Sequence, residues 1–351
     1  MDLLNIIAAD DAELDLLALG EILLRFDPAD DRIQTARNFQ VFDGGAEYNV
    51  SRNLSHVFRQ RSGIATALVD NALGRLAENF ARGSGMDVSD IVWRADDGMQ
   101  RNGIYFIERG FGPRAPASCF DRGHSAASKL KSGDIDWHKI FEARGVRWLH
   151  TGGVFSGLSE SSAHLALEAM TAAKAGGTVV SYDLNYRDSL WKNKGGRAAA
   201  DAVNRKLLPM ADVVFGVLDF DARLEQFDEQ TFRGSAESML KDFPDLKIVA
   251  STLRNVRSAS RHDLSAAAYA GGEVIRGPEY PGIEVLDRVG SGDAFAAGSI
   301  VGWLNGLEIQ KSIEIAAAST VLSMASVGDG LSSTADEIER LASSGHAHAL
   351  R

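Results

Sequence analysis

The stretch Asp287-Arg-Val-Gly-Ser-Gly-Asp-Ala-Phe-Ala-Ala-Gly298 carries the clearest signal in this chain of 351 residues. Gly290 and Gly292 run directly into an apolar segment that predicts a helix beginning near Asp293. A glycine turn at a helix N-terminus presents free backbone N–H groups, which stabilise phosphate or a developing phosphoryl charge. This turn is therefore a candidate anion hole.

A carboxylate, Asp293, lies inside this predicted anion hole. Its charge repels phosphate, so a loop that only binds phosphate would avoid it. A base that takes a proton from an attacking hydroxyl has to lie at this place. The alternative is that Asp293 caps the helix and that the glycines form an ordinary tight turn. The spacing alone leaves both roles open.

Short apolar runs alternate with helical stretches along much of the chain. The segment at 159–175 predicts a helix, since apolar residues share one face and a serine can cap its start. A glycine pair precedes a second amphipathic helix that contains Val50 and Leu54. The predicted strands are 16–19, 146–150, 179–184, 213–215 and 247–250. This alternation is typical of α/β folds with a parallel sheet.

Two stretches, about 22–42 and 103–126, interrupt the alternation. Both contain short extended segments with turn residues such as Asp27-Pro28 and Gly112-Pro113. We expect them to form a small β flap, or lid, on a single domain that covers residues 1–351. An exposed strand edge in this lid would suit pairing with a second subunit, which gives a homo-oligomer as a candidate assembly.

Composition excludes several classes of protein. The formal net charge of −11 argues against a nucleic-acid partner, because such proteins usually carry a positive field. The apolar runs fall short of the roughly 20 residues that span a bilayer, so no membrane partner is expected. The acidic start is unlike a signal peptide, and a cytoplasmic location is expected. Because a Gly-x-x-x-x-Gly-Lys-Ser/Thr motif is absent, a P-loop enzyme is disfavoured.

Further motifs occur in a fixed order through the chain. They are Gly44-Gly-Ala-Glu-Tyr-Asn49, Arg147-Trp-Leu-His-Thr-Gly-Gly153, Ser181-Tyr-Asp-Leu-Asn-Tyr-Arg187 and Thr252-Leu-Arg254. Together with the stretch at 287–293, they resemble the ribokinase-like carbohydrate kinases, and most nearly their 2-keto-3-deoxygluconate kinase branch. The resemblance covers about residues 16–340. It implies a three-layer α/β/α core with a β lid and ATP-dependent phosphorylation of a sugar acid, most nearly 2-keto-3-deoxygluconate.

The resemblance also implies roles on the sugar side. Asp293 would be the general base, and the backbone of Gly290, Ser291 and Gly292 would form the anion hole. Arg187 would hold the substrate carboxylate, since a planar guanidinium binds carboxylates bidentately. A surface arginine that pairs with Asp183 or Asp188 is the alternative for Arg187. The residues implied to contact the sugar are Gly44, Gly45, Asn49, Tyr105, Arg122, Asp183, Asn185 and Arg187. The two glycines could instead form only a helix-entry turn, and Tyr105 could belong to the apolar face of a lid strand.

On the nucleotide side, the resemblance implies that Thr252 and Arg254 approach the ATP phosphates. Asp287 is assigned to the same side, and Gly328 or Gly330 would border the adenine pocket. A solvated loop arginine is the alternative for Arg254. ATP and Mg²⁺ are therefore the expected cofactors, and a monovalent cation is a further candidate.

The stretch Gly216-Val-Leu-Asp-Phe220 departs from the family pattern, which has a polar group at the position of Val217. That group would help to organise Mg²⁺, and Asp219 is then the only nearby carboxylate and the candidate metal ligand. Val217 could also simply extend a buried strand. Two alternatives follow: another ribokinase-like kinase, such as a fructokinase, ribokinase or 5-keto-2-deoxygluconate kinase, or a catalytically impaired sugar or nucleotide sensor.

Overall fold

The computed structural model describes residues 3–220 and 222–344, which fold around two β-sheets. The strands are β1 Leu16–Leu19, β2 Leu23–Asp27, β3 Gln40–Gly44, β4 Ser62–Val69, β5 Ile91–Arg94, β6 Gly103–Glu108, β7 Ala117–Asp121, β8 Trp148–Gly152, β9 Val179–Asp183, β10 Val213–Phe215, β11 Ile248–Ser258, β12 Arg261–Ala270, β13 Glu273–Arg276 and β14 Tyr280–Glu284. The helices are α1 Ala46–His56, α2 Ala72–Gly83, α3 Gly153–Ser156, α4 Glu160–Ala175, α5 Asp188–Trp191, α6 Gly196–Leu207, α7 Glu229–Asp242, α8 Ser291–Leu304, α9 Ile309–Ser323 and α10 Ala335–Ser344. None of these helices is long and apolar enough to cross a bilayer.

The larger sheet has the strand order β13-β12-β11-β10-β9-β8-β1-β4-β5, with β14 paired to β12. All neighbours from β11 to β5 run parallel, whereas β12, β13 and β14 add an antiparallel end. The predicted α/β fold with a mostly parallel sheet is therefore confirmed. The antiparallel end was not part of the sequence prediction.

Burial along β1 explains the three layers. Leu16 and Ala18 belong to an apolar cluster with α1, α8 and α9, whereas Leu17 and Leu19 belong to a second cluster with α4 and α7. Successive side chains of a strand point to opposite faces, so one strand contributes to both clusters. All four residues are fully buried, as expected when helices cover both faces of a parallel sheet.

Helix α4 shows how local sequence fixes an element of the core. The Ser159 side chain accepts a hydrogen bond from the backbone N–H of Ser162, and the Ser162 hydroxyl accepts one from the backbone N–H of Ser159. This reciprocal cap starts the helix at Glu160. Leu165 and Ala169, four residues apart, are buried against the sheet. The start therefore lies one residue after the predicted one.

The smaller sheet has the order β3-β2-β6-β7 and lies beside the carboxyl edge of the core. Its strands fall within the two segments expected to form a lid, except that β3 continues to Gly44. Phe26, Phe39 and Phe106 pack together, with ring centroids 5.3 to 6.3 Å apart. Strand β7 is an edge strand whose five residues are all exposed. Assembly through this edge stays a prediction.

Several predicted boundaries need correction. Strand β8 begins at Trp148 rather than at 146, β9 ends at Asp183 rather than at 184, and α8 begins at Ser291, before Asp293. Strand β11 continues to Ser258, far beyond the predicted end at 250, because β12 pairs with it along its whole length. The length of β11 depends on its contact with β12, and the periodicity of one segment does not show how far a neighbouring strand pairs with it.

Candidate active site

A cavity of about 710 Å³ lies between the lid and the carboxyl edge of the large sheet. It is bordered by the lid strands β6 and β7, the end of β9, the middle of β11 and the N-terminus of α8. The predicted site residues that line it are Gly45, Asn49, Tyr105, Arg122, Asp183, Asn185, Arg187, Thr252, Arg254, Asp287, Gly290, Ser291, Gly292 and Asp293. The sheet edge therefore brings together residues that are far apart in sequence, as is typical of open α/β folds.

A second cavity, of about 1000 Å³, lies on the other side of Arg122. The two cavities share Ser118, Phe120 and Arg122 as a common wall. The second cavity is larger, but neither Asp293 nor the N-terminus of α8 borders it. We therefore identify the 710 Å³ cavity as the candidate active site.

The turn at Gly290 is imposed by its surroundings. Gly290 has a φ of 78°, and a Cβ atom there would lie 1.8 Å from the carbonyl oxygen of Asp329. It immediately precedes α8, whose first backbone N–H groups have no intrahelical acceptor. Gly292 differs, because a Cβ atom there would meet nothing within 4 Å. The fold itself does not require glycine at 292, and the open space above it suits the close approach of an anion.

Asp293 lies in the first turn of α8 and does not cap it, since Gly290 occupies the cap position. Its side chain is 5% exposed, and Oδ2 accepts a hydrogen bond of 2.6 Å from the Asn49 side-chain amide. Burial raises the pKa of Asp293 well above its usual range, and the charge of Asp183 raises it further. The Asn49 hydrogen bond and the charge of Arg187 act in the opposite direction. A buried carboxyl with this shift and an orienting partner suits a general base.

Two further carboxyl groups of this region have raised pKa values: Asp183 is half-buried and lines the cavity, whereas Glu47 is buried. Burial raises the pKa of Asp183 to about 6, against hydrogen bonds from Asn185. Burial also raises the pKa of Glu47 to about 7, and its Oε1 accepts a hydrogen bond of 3.0 Å from the backbone N–H of Phe155. Glu47 belongs to the Gly44–Asn49 motif, but the sequence interpretation assigned it no role. Its burial beneath the cavity could not be read from its position in that motif.

The lid contributes Tyr105 and Arg122. The Tyr105 ring stacks on Phe120 with centroids 5.3 Å apart, and its hydroxyl donates to Asp329. Arg122 lies over the same Phe120 ring and 3.6 Å from the Glu21 carboxylate. Both side chains border the cavity, so the hypothesis that they contact the substrate stays open. The Tyr105 hydroxyl already donates a hydrogen bond to Asp329, so its ring is the part of the side chain that a ligand would contact.

Three of the arginines that line the cavity have no carboxylate partner among the described residues. Within the described part of the chain, Arg187, Arg254 and Arg288 form no ion pair within 4.0 Å. Burial lowers the pKa of Arg254, and the charges of Arg288 and Arg187 lower it further. Like charges that repel each other in this way are stabilised by a bound polyanion. Arg187 therefore does not form the surface pair with Asp183 or Asp188 that was its alternative role.

Four predicted residues do not line the cavity. A Cβ atom on Gly44 would lie 2.5 Å from the Tyr105 hydroxyl, so Gly44 serves lid packing. Gly328 packs on Phe42, and Gly330 packs on the Arg52 guanidinium. The Asp219 side chain is 87% exposed, and its nearest cation is Arg205 at 3.9 Å. The sequence motifs assigned these four residues to the site, but in the structure they pack against other residues or face solvent, outside the cavity lining.

Val217 also lies outside the cavity lining and packs, half-buried, against the apolar cluster on the α4 face. Among the described residues, no group of three or more His, Cys, Asp or Glu side chains could hold a metal ion. The described residues therefore do not provide the carboxylate set of a dedicated metal site, and Asp219 does not supply one. A magnesium ion that arrives with nucleotide phosphates can keep most of its ligands as waters and phosphate oxygens.

Arg288 and Asp329 are among the cavity-lining residues that the sequence interpretation missed. Arg288 stands inside the quoted motif, next to Asp287, so a basic residue beside a predicted anion hole was the available signal. Asp329 lies between Gly328 and Gly330, both of which were assigned to the nucleotide side. Its carboxylate binds Arg25 and Tyr105, and nothing in the local sequence indicates those partners.

Known proteins are similar to this chain over most of its length. A family model described as pfkB family carbohydrate kinase matches residues 13–336. A 2-dehydro-3-deoxygalactonokinase of Haloferax volcanii is 29% identical over 340 residues, which cover 95% of this chain and 98% of that protein. A 5-dehydro-2-deoxygluconokinase of Clostridium perfringens is 28% identical over 327 residues, with 90% and 88% covered.

A solved structure gives a similar result for the fold. The crystal structure of a 2-dehydro-3-deoxygluconokinase from Thermotoga maritima superposes with a TM-score of 0.83. The two sequences are 32% identical, and the match covers 94% of this chain and 99% of the other. The core, the lid and the cavity thus lie within the part of the chain that the similarity covers.

Proposed function

The chain belongs to the pfkB family of carbohydrate kinases, and from this premise we propose that it transfers the γ-phosphoryl group of ATP to a hydroxyl of a sugar acid, most nearly 2-keto-3-deoxygluconate. The buried Asp293 carboxyl beside the open backbone at Gly292 carries the proposal. The two groups place a base and an anion-binding backbone within one helical turn. Phosphoryl transfer needs both at one point.

Each step of the transfer has a group of this chain assigned to it. Asp293 takes the proton of the attacking hydroxyl while Asn49 holds the carboxylate in place. The hydroxyl oxygen then bonds to the γ-phosphorus, and the bond from that phosphorus to the bridging oxygen of ADP breaks. The N–H groups of Gly290, Ser291 and Gly292 stabilise the charge on the transferred group.

The electrostatics of the cavity favour an acidic sugar. Arg122 and Arg187 border the predicted sugar position, and Arg187 has no carboxylate partner among the described residues. A substrate carboxylate would supply that partner and would form charge-assisted hydrogen bonds with the guanidinium. The three similar proteins described above are named as kinases of keto-deoxy sugar acids or related keto-deoxy sugars. The galactonate and gluconate forms, and 5-keto-2-deoxygluconate, remain the competing substrates.

Arg254, Arg288 and Thr252 supply the nucleotide side of the proposal. The two arginines repel each other, so the triphosphate of ATP would relieve an unfavourable arrangement on binding. Magnesium would accompany ATP, consistent with the family, and no step is assigned to a metal ligand of this chain. Because ATP and sugar acids are intracellular metabolites, we infer a cytoplasmic location.

A coupled ADP-release assay over a panel of sugars and sugar acids tests the proposal. We expect turnover with a 2-keto-3-deoxy sugar acid and little with neutral fructose or ribose. Arg187→Lys keeps the charge but loses the planar fork, so the acid should lose catalytic efficiency while any neutral substrate is little affected. Equal losses on both would show that Arg187 contacts phosphate or is structural. Stabilisation by sugar acid and nucleotide without ADP release would instead support the sensor hypothesis.

A further inference from the structure

Arg25 lies on the lid strand β2, and its side chain is fully buried. Its guanidinium donates to Asp27 at 2.7 Å, to Asp329 at 2.9 Å and to Asp287. Asp287 and Asp329 come from two loops that are distant in sequence from the lid. One lid cation therefore bridges two carboxylates that belong to the core.

The charges in this cluster do not balance without Arg25. Asp27, Asp287 and Asp329 are all buried, and a second cation, Arg109, reaches only Asp27, at 3.3 Å. Burial alone would lower the pKa of Arg25, but Asp329 and Asp287 raise it, and the net shift is upward. Two buried carboxylates that face each other need a cation between them. Among the described residues only Arg25 supplies a cation to Asp287 and Asp329.

Both aspartates contact the backbone that forms the predicted anion hole, Asp287 through its carboxylate and Asp329 through its peptide carbonyl. Asp287 opens the loop, and its Oδ1 accepts a hydrogen bond of 3.1 Å from the N–H of Val289. The carbonyl oxygen of Asp329 lies so close to Gly290 that a Cβ atom there would approach it to 1.8 Å. The loop is thus clamped between Asp287 on one side and the peptide of Asp329 on the other.

We propose that Arg25 is a positioning residue for phosphoryl transfer: its guanidinium fills the place between Asp287 and Asp329 where a bound cation would otherwise be needed, and so fixes the anion hole to the base of the lid. The proposal rests on the kinase function proposed above. A consequence is that this protein needs no monovalent cation at this place, in contrast to the candidate cation requirement raised by the sequence.

The main test uses Arg25→Ala with any sugar acid that the unmodified protein phosphorylates. A misplacement of about 1 Å outside the reacting groups can reduce turnover by roughly 10²-fold, so we expect kcat to fall by about tenfold or more with smaller changes in KM. Guanidinium or potassium chloride, far below concentrations that unfold proteins, should restore part of the lost kcat. Tetramethylammonium chloride, whose cation is too bulky, should not restore it.

Arg147→Ala is the matched control. Arg147 is also buried and paired, with Asp15 at 3.0 Å and the carbonyl oxygen of Leu304 at 2.9 Å, but it does not border the cavity. The Arg147→Ala variant should lose thermal stability, while its kcat should change by no more than about twofold. Wild-type kcat in Arg25→Ala would overturn the proposal. A loss of kcat that no small cation restores would also overturn it, because Arg25 would then serve only the fold.

Arg25→Lys keeps the proposal testable if the alanine variant does not fold. One ammonium group cannot bridge both carboxylates with the geometry of the guanidinium fork, so kcat should fall several-fold at unchanged KM for both substrates. Unchanged kcat would contradict the proposal. If the unmodified protein proves not to be a kinase, the melting temperature still tests the role of Arg25. Potassium or guanidinium should raise the melting temperature of Arg25→Ala and leave that of the unmodified protein unaffected.

Discussion

Two loops at the same edge of the large sheet carry the two most informative aspartates, and they differ in burial. The loop at 287–293 ends in Asp293, which is 5% exposed and hydrogen-bonded to Asn49. The loop after β10 carries Asp219, whose side chain is 87% exposed and close to a single arginine at 3.9 Å. Burial, and not proximity to a strand end, gives a carboxyl group the shifted pKa that catalysis requires. This difference supports the proposal that the first loop carries the general base.

The largest expected effect follows from removing the base in the buried loop. Asp293→Asn keeps the shape of the side chain but cannot accept the substrate proton, so kcat should fall by about 10²-fold or more. Binding of nucleotide and sugar acid should change little, and calorimetry with each ligand checks this. Near-normal turnover would show that the base lies elsewhere.

The same substitution should raise stability at alkaline pH. Because the pKa of Asp293 is raised in the folded state, its contribution to stability is complete at pH values below the unfolded pKa and is lost as pH rises through the folded one. Asparagine does not titrate, so the melting temperature of the Asp293→Asn variant should exceed that of the unmodified protein at pH 8. The difference should shrink toward pH 4. A pH-independent difference would mean that the carboxyl is not desolvated.

Within the buried loop, the two glycines should respond in opposite ways. Gly292→Ala adds a methyl group where the fold leaves open space, so we expect unchanged or slightly raised melting temperature and a loss of kcat of about tenfold or more. Gly290→Ala places Cβ against the Asp329 carbonyl at positive φ and should destabilise the protein itself. If Gly292→Ala keeps full activity, no anion approaches that peptide.

At the exposed loop, Val217→Asn separates a metal role from a packing role. Val217 packs on the apolar cluster, so burying an amide there should cost on the order of 1 to 3 kcal/mol of stability. The Mg²⁺ concentration for half-maximal rate should stay the same, because the residue does not line the cavity. Melting temperature and magnesium titration are measured together. A lower magnesium requirement would restore the metal hypothesis for this position.

The smallest effect is expected for Asp219→Asn. An exposed carboxylate that pairs weakly with one arginine contributes within about 1 kcal/mol, and its removal should leave both stability and magnesium dependence nearly unchanged. A clear rise in the magnesium requirement would place Asp219 at the nucleotide phosphates and would reverse the contrast between the two loops.

The sequence predicted some residues of the candidate site better than others, and the physical reason differs from one residue to the next. The anion-hole loop is a local structure: glycine spacing and an apolar run specify the turn and the helix that follows. The roles assigned to Gly44, Gly328, Gly330 and Asp219 depended on which way each segment turns, and that direction is set by packing partners such as Tyr105 and Arg52. The order of the motifs predicted the local structure of each segment, but only partly the direction in which each segment turns.

What the sequence by itself determined is the alternation of strands and helices, the helix cap at Ser159 and the glycine turn before α8, because these depend on neighbours within a few residues. Only the tertiary structure decided the electrostatics. Asp293 acquires its raised pKa from burial, and Arg25 meets Asp287 and Asp329 across more than 260 positions of the chain. Burial and long-range charge pairing depend on the packed core, and no local pattern encodes them.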